Sequence, residues 1–185
     1  MQPPYWNAME PSKKDKNAYR PPAGLILRTP VHLLAFGMGS GLSPVAPGTA
    51  GTIAAIPLWL LLQWLPAPLY IVTAAVLFGF GCWVCGESAR LLGVHDYGGI
   101  VFDEVVGLLL TCLPLLPAFH HVHQGNYWWA LLAAFVLFRL FDIWKPWPIA
   151  WFDRRVAGGF GIMLDDVLAA VYAALVLELG LVLLQ

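Results

Sequence analysis

Two stretches of this chain, 69–86 and 167–184, are each long enough to cross a bilayer, with Thr73 and Glu178 as their notable interior polar side chains. At about 1.5 Å of rise per residue, a membrane-spanning helix needs about 20 residues and rarely manages with about 17. Both stretches qualify, and 127–144 is borderline. Shorter apolar runs at 53–65 and 105–117 either extend into the polar segments beside them or form half-helices buried inside a bundle. No strand alternation persists far enough for a barrel. The expected fold is therefore all-α: a polytopic membrane helical bundle with short or broken helices and polar loops on the cytoplasmic side. Composition points the same way. Hydrophobic residues make up 59% of the chain and charged ones 11%, whereas a soluble domain carries about 25% charged residues. A soluble fold would lack the polar side chains to cover its surface.

The charges orient the bundle. If each apolar run crosses once, residues 1–52, 87–104 and 142–166 share one side, with Arg139 at its boundary. All 10 Lys and Arg fall there, while the opposite connections, 66–68 and 118–126, hold none. That is the positive-inside pattern, which places the polar blocks in the cytoplasm. A net charge of -1 gives no bulk attraction for nucleic acid. Residues 1–28 read as a disordered or loosely attached tail, the first 24 of them with no apolar core of a signal peptide, and residues 29–185 as a single membrane-embedded domain. Cys82, Cys85 and Cys112 lie in apolar runs and read as small buried side chains rather than a redox or metal framework.

Eight of the 11 acids lie in the two long polar blocks or at their edges: Glu87, Asp96, Asp103, Glu104, Asp142, Asp153, Asp165 and Asp166. Asp103-Glu104 precedes the apolar run from Val105, and Asp165-Asp166 precedes the run from Val167. Helix capping accounts for one acid of each pair, since a carboxylate answers unpaired N–H groups and the helix dipole. It does not account for two in each place. Carboxylates at the edge of hydrocarbon are costly unless neutralised, and a hard divalent cation neutralises several at once. A Mg2+ site built from some of these acids is the expectation.

Arg139, Asp142 and Lys145 recur every third residue, near one helix face, before Pro146 and Pro148 end the helix. They read either as a structural ion pair or as a cation clamp and carboxylate facing a phosphate–metal centre. The Gly37–Thr52 segment, rich in Gly and Pro and bearing Ser40, Ser43, Thr49 and Thr52, cannot be regular helix throughout. Its exposed N–H groups suit an anion, although no Gly-Lys-Ser/Thr makes it a P-loop. His32 and His95 lie beside the polar blocks as candidates for proton transfer. His120, His121 and His123 fall on the side away from this chemistry. Hard-metal carboxylates, cations and an anion-friendly loop on one membrane face suit a phosphoryl group carried by a lipid.

Four segments then carry a resemblance: 39–52 (GSGLSPVAPGTAGT), 95–104 (HDYGGIVFDE), 139–148 (RLFDIWKPWP) and 158–166 (GGFGIMLDD). In this order they resemble the phosphatidylglycerophosphatase A family, with the likeness running from about Thr29 to the last apolar run. The resemblance implies a Mg2+-dependent phosphatase of the bacterial inner membrane. Such an enzyme acts on an anionic phospholipid, converting phosphatidylglycerophosphate to phosphatidylglycerol and inorganic phosphate. It implicates His32, Asp96, Asp103, Glu104, Arg139, Asp142, Lys145, Asp165 and Asp166.

The expected mechanism is direct hydrolysis. Asp103, Glu104, Asp142, Asp165 and Asp166 hold Mg2+, and Arg139 and Lys145 bind phosphate oxygens. A water deprotonated by a carboxylate or His95 attacks phosphorus in line. The alternative from another class is a divalent-cation transporter, in which acids beside short helices form an ion path. That alternative requires polar groups reaching across the membrane.

Overall fold

The computed structural model describes residues 21–94, 97–117 and 127–183. Among the described residues every regular element is helical. Short helices α1 (Ala23–Arg28) and α2 (Pro30–Ala35) and a 3-10 segment, Gly37–Leu42, lead into α3 (Pro47–Leu62) and α4 (Ala67–Leu92). After α5 (Phe102–Thr111) and a 3-10 turn at Leu113–Leu115 come α6 (Tyr127–Trp144), the short α7 (Ile149–Asp153) and α8 (Gly158–Leu183). Helices α4, α6 and α8 are long and apolar enough to cross a membrane, and α3 is a shorter apolar helix. The all-helical membrane bundle expected from the sequence is the fold observed.

Local chemistry sets the helix ends. Pro68 occupies the first turn of α4, where its missing N–H costs nothing. At the other end Gly93 takes the left-handed conformation (φ 68°), and the Val94 N–H returns to the Ala89 carbonyl at 3.1 Å. The glycine-rich segment is broken as expected. Met38, Gly39 and Ala46 all have positive φ, and regular helix resumes only at Pro47.

Two boundaries differ from the sequence reading. Helix α8 begins at Gly158, not at Val167, so Asp165 and Asp166 lie about two turns inside it. N-capping is therefore overturned for this pair, because N–H groups that deep are already paired within the helix. Helix α5 likewise starts at Phe102, which places Asp103 and Glu104 in its first turn, where the dipole favours acids. The cause is common to both. A hydropathy edge marks where lipid contact begins, but these carboxylates face other helices, so the helix continues through the polar stretch.

Helix α5 is the centre of the bundle, packed on α3, α4, α6 and α8. It is buried nearly all round through Val105, Val106, Gly107, Leu108 and Leu109, as suits a half-helix shielded from lipid by its neighbours. Large apolar side chains on the outside, among them Trp64, Trp83, Trp128 and Leu179, are exposed, as suits a surface in contact with lipid. Lipid is as apolar as leucine, so close helix contact depends on small residues and dispersion. The N-terminal turn of α8 meets α4 through Gly159 and Gly86, and a Cβ on Gly159 would overlap the Cys82 carbonyl oxygen. All three cysteines are free, with Cys85 and Cys112 buried.

Candidate active site

The first turn of α5 sets Asp103 and Glu104 against Asp166 of α8, with one carboxylate oxygen from each within 4.8 Å of the others. Gly107 makes this convergence sterically feasible. It lies one turn beyond the acids, and a Cβ there would overlap the Phe138 ring of α6 and stand 3.5 Å from Asp166 Cβ. The bare backbone lets α5 close on α6 and α8 together.

Helix α6 brings two further groups to the cluster. Arg139 Nη1 donates to Asp142 Oδ2 at 2.5 Å and stands 3.7 Å from Glu104 Oε1. The Asp142 carboxyl lies near that of Asp166. From the opposite side the start of α3 closes in. A Cβ on Gly48 would overlap Glu104 Oε1 and lie 3.0 Å from Arg139 Nη2. Ala46, which precedes α3, makes no side-chain capping bond. An uncapped helix start, a guanidinium and a set of carboxylates thus meet at one point. The Arg139, Glu104 and Asp142 side chains retain 15%, 13% and 13% exposure, so the cluster is sheltered but reachable.

Lys145 and Asp165 form a second group beside the first. Lys145 follows the last residue of α6 in the left-handed region (φ 46°), and its N–H bonds the Phe141 carbonyl at 2.8 Å. This turn sends the ammonium to Asp165 Oδ2 and, at 2.8 Å, to Asp153 Oδ1. Burial lowers the Lys145 pKa, but the Asp165 and Asp153 carboxylates outweigh it and move it upward, so the side chain is a cation at neutral pH. Asp165 is engaged with Lys145, one residue away from the Asp103–Glu104–Asp166 cluster.

His32 is buried in α2, with Nδ1 2.8 Å from Ser88 Oγ of α4. Burial moves its pKa down, favouring the neutral ring. His95 and Asp96 lie outside the described residues, as do residues 1–20 and the histidines at 120, 121 and 123. In the glycine-rich segment Ser40, Ser43 and Thr52 bond to nearby carbonyls, and the approach of its backbone to the site is at Gly48. Two participants escaped the sequence reading of the site: Gly48 and Ser88. Asp153 stood among the clustered acids. Nothing in the sequence distinguished Gly48 from its neighbouring glycines.

The donor set suits a hard divalent cation. Glu104 Oε2 and Asp166 Oδ2 are buried and accept no hydrogen bond among the described residues, and carboxylates in mutual contact repel unless a cation or proton lies between them. All the donors are oxygens, the preference of Mg2+ and Ca2+. The buried Asp103–Glu104–Asp166 cluster could chelate a divalent metal.

Comparison with known proteins agrees with this arrangement. The phosphatidylglycerophosphatase A family profile matches residues 33–181. Phosphatidylglycerophosphatase A of Escherichia coli is 48% identical over 150 residues, covering 81% of this chain and 83% of that protein. The Haemophilus influenzae protein of the same name is 46% identical over 151 residues, covering 81% and 88%. A Bacteroides thetaiotaomicron protein named as a putative phosphatidylinositol-3-phosphatase is 39% identical over 153 residues, covering 80% and 91%. No solved structure gives a significant match. With its four sequence segments in order, carboxylates from α5, α6 and α8 converging, and a match along most of its length, the chain belongs to the phosphatidylglycerophosphatase A family.

Proposed function

We propose that the protein is a Mg2+-dependent lipid phosphatase of the bacterial inner membrane, hydrolysing phosphatidylglycerophosphate to phosphatidylglycerol and inorganic phosphate. The observation that carries this reading is the buried Asp103–Glu104–Asp166 cluster with Arg139 at its edge. It joins metal ligands to a cation that binds phosphate, and relatives named phosphatidylglycerophosphatase A match most of this chain. The catalytic unit comprises residues 29–185 together with α1, whose Ile26 is buried in the bundle. The site faces the cytoplasm, because every Lys and Arg falls on the side of the polar blocks.

Asp103, Glu104, Asp166 and Asp142 would hold Mg2+, which when bound would supply Lewis-acid neutralisation of the phosphate oxygens. Arg139 binds two of those oxygens through its planar fork, beside the uncapped start of α3. Lys145, held by Asp165 and Asp153, adds a second positive charge. A carboxylate of the cluster or His95 takes a proton from water. The water oxygen bonds to phosphorus as the P–O bond to the glyceryl group breaks, and the leaving oxygen is protonated to give the alcohol. His32 acts through Ser88, holding α2 on α4. The transporter reading finds no support. The acids and cations of the site gather at one end of α5, α6 and α8, with no chain of them across the bundle among the described residues.

The test is release of inorganic phosphate from phosphatidylglycerophosphate in detergent micelles, with and without Mg2+, beside a parallel arm with phosphatidylinositol 3-phosphate. Release that requires Mg2+ and stops with EDTA is expected, with the first lipid preferred. Absence of turnover on the first lipid at saturating Mg2+ overturns the reading, and preference for the second reassigns the substrate.

A further inference from the structure

A groove of about 460 Å³ lies among α4, α5 and α8, within the roughly 300–1,000 Å³ usual for ligand pockets. Small residues on α8 create it. Ala170 and Ala174, one turn apart, line it together with the bulkier Val171 and Leu175 of the same helix, Leu110 of α5 and Ile71 of α4. Ile71, Val171 and Leu175 are exposed, so the groove opens to the lipid side of the bundle. Glu178 is the one titratable residue on its lining.

Its position relates it to the carboxylates. On α8 the lining starts at Val167, the residue after Asp166, and continues to Glu178, about 16 Å at about 1.5 Å per residue. On α5 the lining residue Leu110 stands two turns beyond Asp103 on the same stripe of the helix. The groove therefore begins beside the polar cluster and runs away from it into the hydrocarbon region, apolar until Glu178. A polar headgroup finds almost no partner along it, whereas its lining suits a hydrocarbon chain.

We propose that this groove binds one acyl chain of the lipid whose phosphate occupies the carboxylate centre, an inference resting on the lipid-phosphatase reading. The groove fixes the lipid's orientation, so part of the binding energy comes from hydrocarbon remote from the reacting phosphorus.

Two measurements test this. First, a non-hydrolysable phosphonate analogue of phosphatidylglycerophosphate, carrying a diazirine midway along one acyl chain, is photolysed with the unmodified protein and Mg2+. Labelling is expected within 167–175 or at Leu110, competed by excess unlabelled analogue but not by phosphatidylcholine. Labelling elsewhere, or equal competition by phosphatidylcholine, overturns the proposal by reducing the groove to an ordinary lipid contact. Second, Ala174→Phe fills the groove. It is expected to raise KM by at least ~10-fold for a long-chain substrate while leaving kcat/KM for a dibutanoyl substrate within ~2-fold. Equal losses on both substrates overturn the proposal. Failure of the unmodified protein to hydrolyse either substrate refutes the phosphatase reading instead, and the labelling pattern reports on the groove independently.

Discussion

Arg139 donates to the Asp142 carboxylate at 2.5 Å, one turn along α6, while the same Nη1 stands 3.7 Å from Glu104 of α5. A purely structural ion pair would make neutralising either partner a stability defect. In the catalytic assignment the two separate kinetically. Arg139→Lys keeps the charge but loses the fork that spans two oxygens. It should lower kcat/KM by at least ~10-fold, about 1.4 kcal/mol of transition-state stabilisation, with the Mg2+ requirement unchanged. Asp142→Asn should raise the Mg2+ concentration giving half-maximal rate. A Mg2+ titration of both variants at fixed lipid mole fraction, with thermal unfolding in the same detergent, separates the readings. Equal losses of thermal stability with unchanged kinetics leave only the ion pair.

The Asp103–Glu104–Asp166 cluster should also be visible without turnover. Carboxylates held this close together destabilise the metal-free fold, and an ion bound only by the native state stabilises it by about 2.7 kcal/mol at a hundredfold excess over Kd. Mg2+ should therefore raise the Tm of the unmodified protein, and Asp166→Asn should remove most of that increment along with activity. An undiminished Mg2+ shift in Asp166→Asn takes Asp166 out of the ligand set.

Lys145 invites a comparison of two losses. Its φ of 46° is costly for a residue with a Cβ, by about 1–2 kcal/mol, and glycine adopts it freely. Lys145→Ala and Lys145→Gly both delete the ammonium that Asp165 and Asp153 share. Both should be far less active than the parent. The glycine variant should nonetheless unfold at a higher temperature than the alanine variant, by roughly 2–4 °C for each kcal/mol of relief. Retained activity in either shows that the cation is dispensable. An alanine variant as stable as the glycine one shows that the backbone there has relaxed.

The fold was largely legible because hydropathy reports lipid contact directly. Helices α4, α6 and α8 fall where the apolar runs place them. Legibility failed at the ends facing the site. Gly158–Asp166 looks polar, yet it is the start of α8, since its carboxylates meet α5 and α6 rather than lipid. The grouping of Asp103, Glu104 and Asp166 was readable from acids flanking apolar runs. The split between that cluster and the Lys145–Asp165–Asp153 group was not. It depends on which way two adjacent aspartates point around a helix, and hence on where α8 begins.

Orientation is open to direct measurement. A single cysteine replacing Arg154, in a background lacking Cys82, Cys85 and Cys112, should react with a membrane-impermeant thiol reagent only in inverted vesicles. One replacing Gln124 should react in intact spheroplasts. Reaction at position 154 in intact spheroplasts would falsify the cytoplasmic placement of the site.

Gly48 offers the sharpest test of how α3 takes part. It sits in the first turn of α3, where alanine is a better helix former by about 1 kcal/mol, so propensity alone makes Gly48→Ala mildly stabilising. The structure requires the opposite functional effect. The added methyl would overlap Glu104 Oε1 and lie 3.0–3.1 Å from both Arg139 Nη atoms. Glu104 is the flexible partner, so the collision is relieved by turning its carboxylate out of the cluster with Asp103 and Asp166. Gly48→Ala should therefore keep a Tm within a few degrees of the parent in the absence of metal. It should weaken the Mg2+-induced rise in Tm and raise the Mg2+ needed for half-maximal phosphate release by at least ~10-fold, about 1.4 kcal/mol of binding. Gly51→Ala is the control, because a Cβ there meets Val101 and not the carboxylates. It should cost stability without changing the metal requirement. Identical Mg2+ titrations for Gly48→Ala and the parent would mean that α3 only packs beside the site and that its glycine serves helix contact alone.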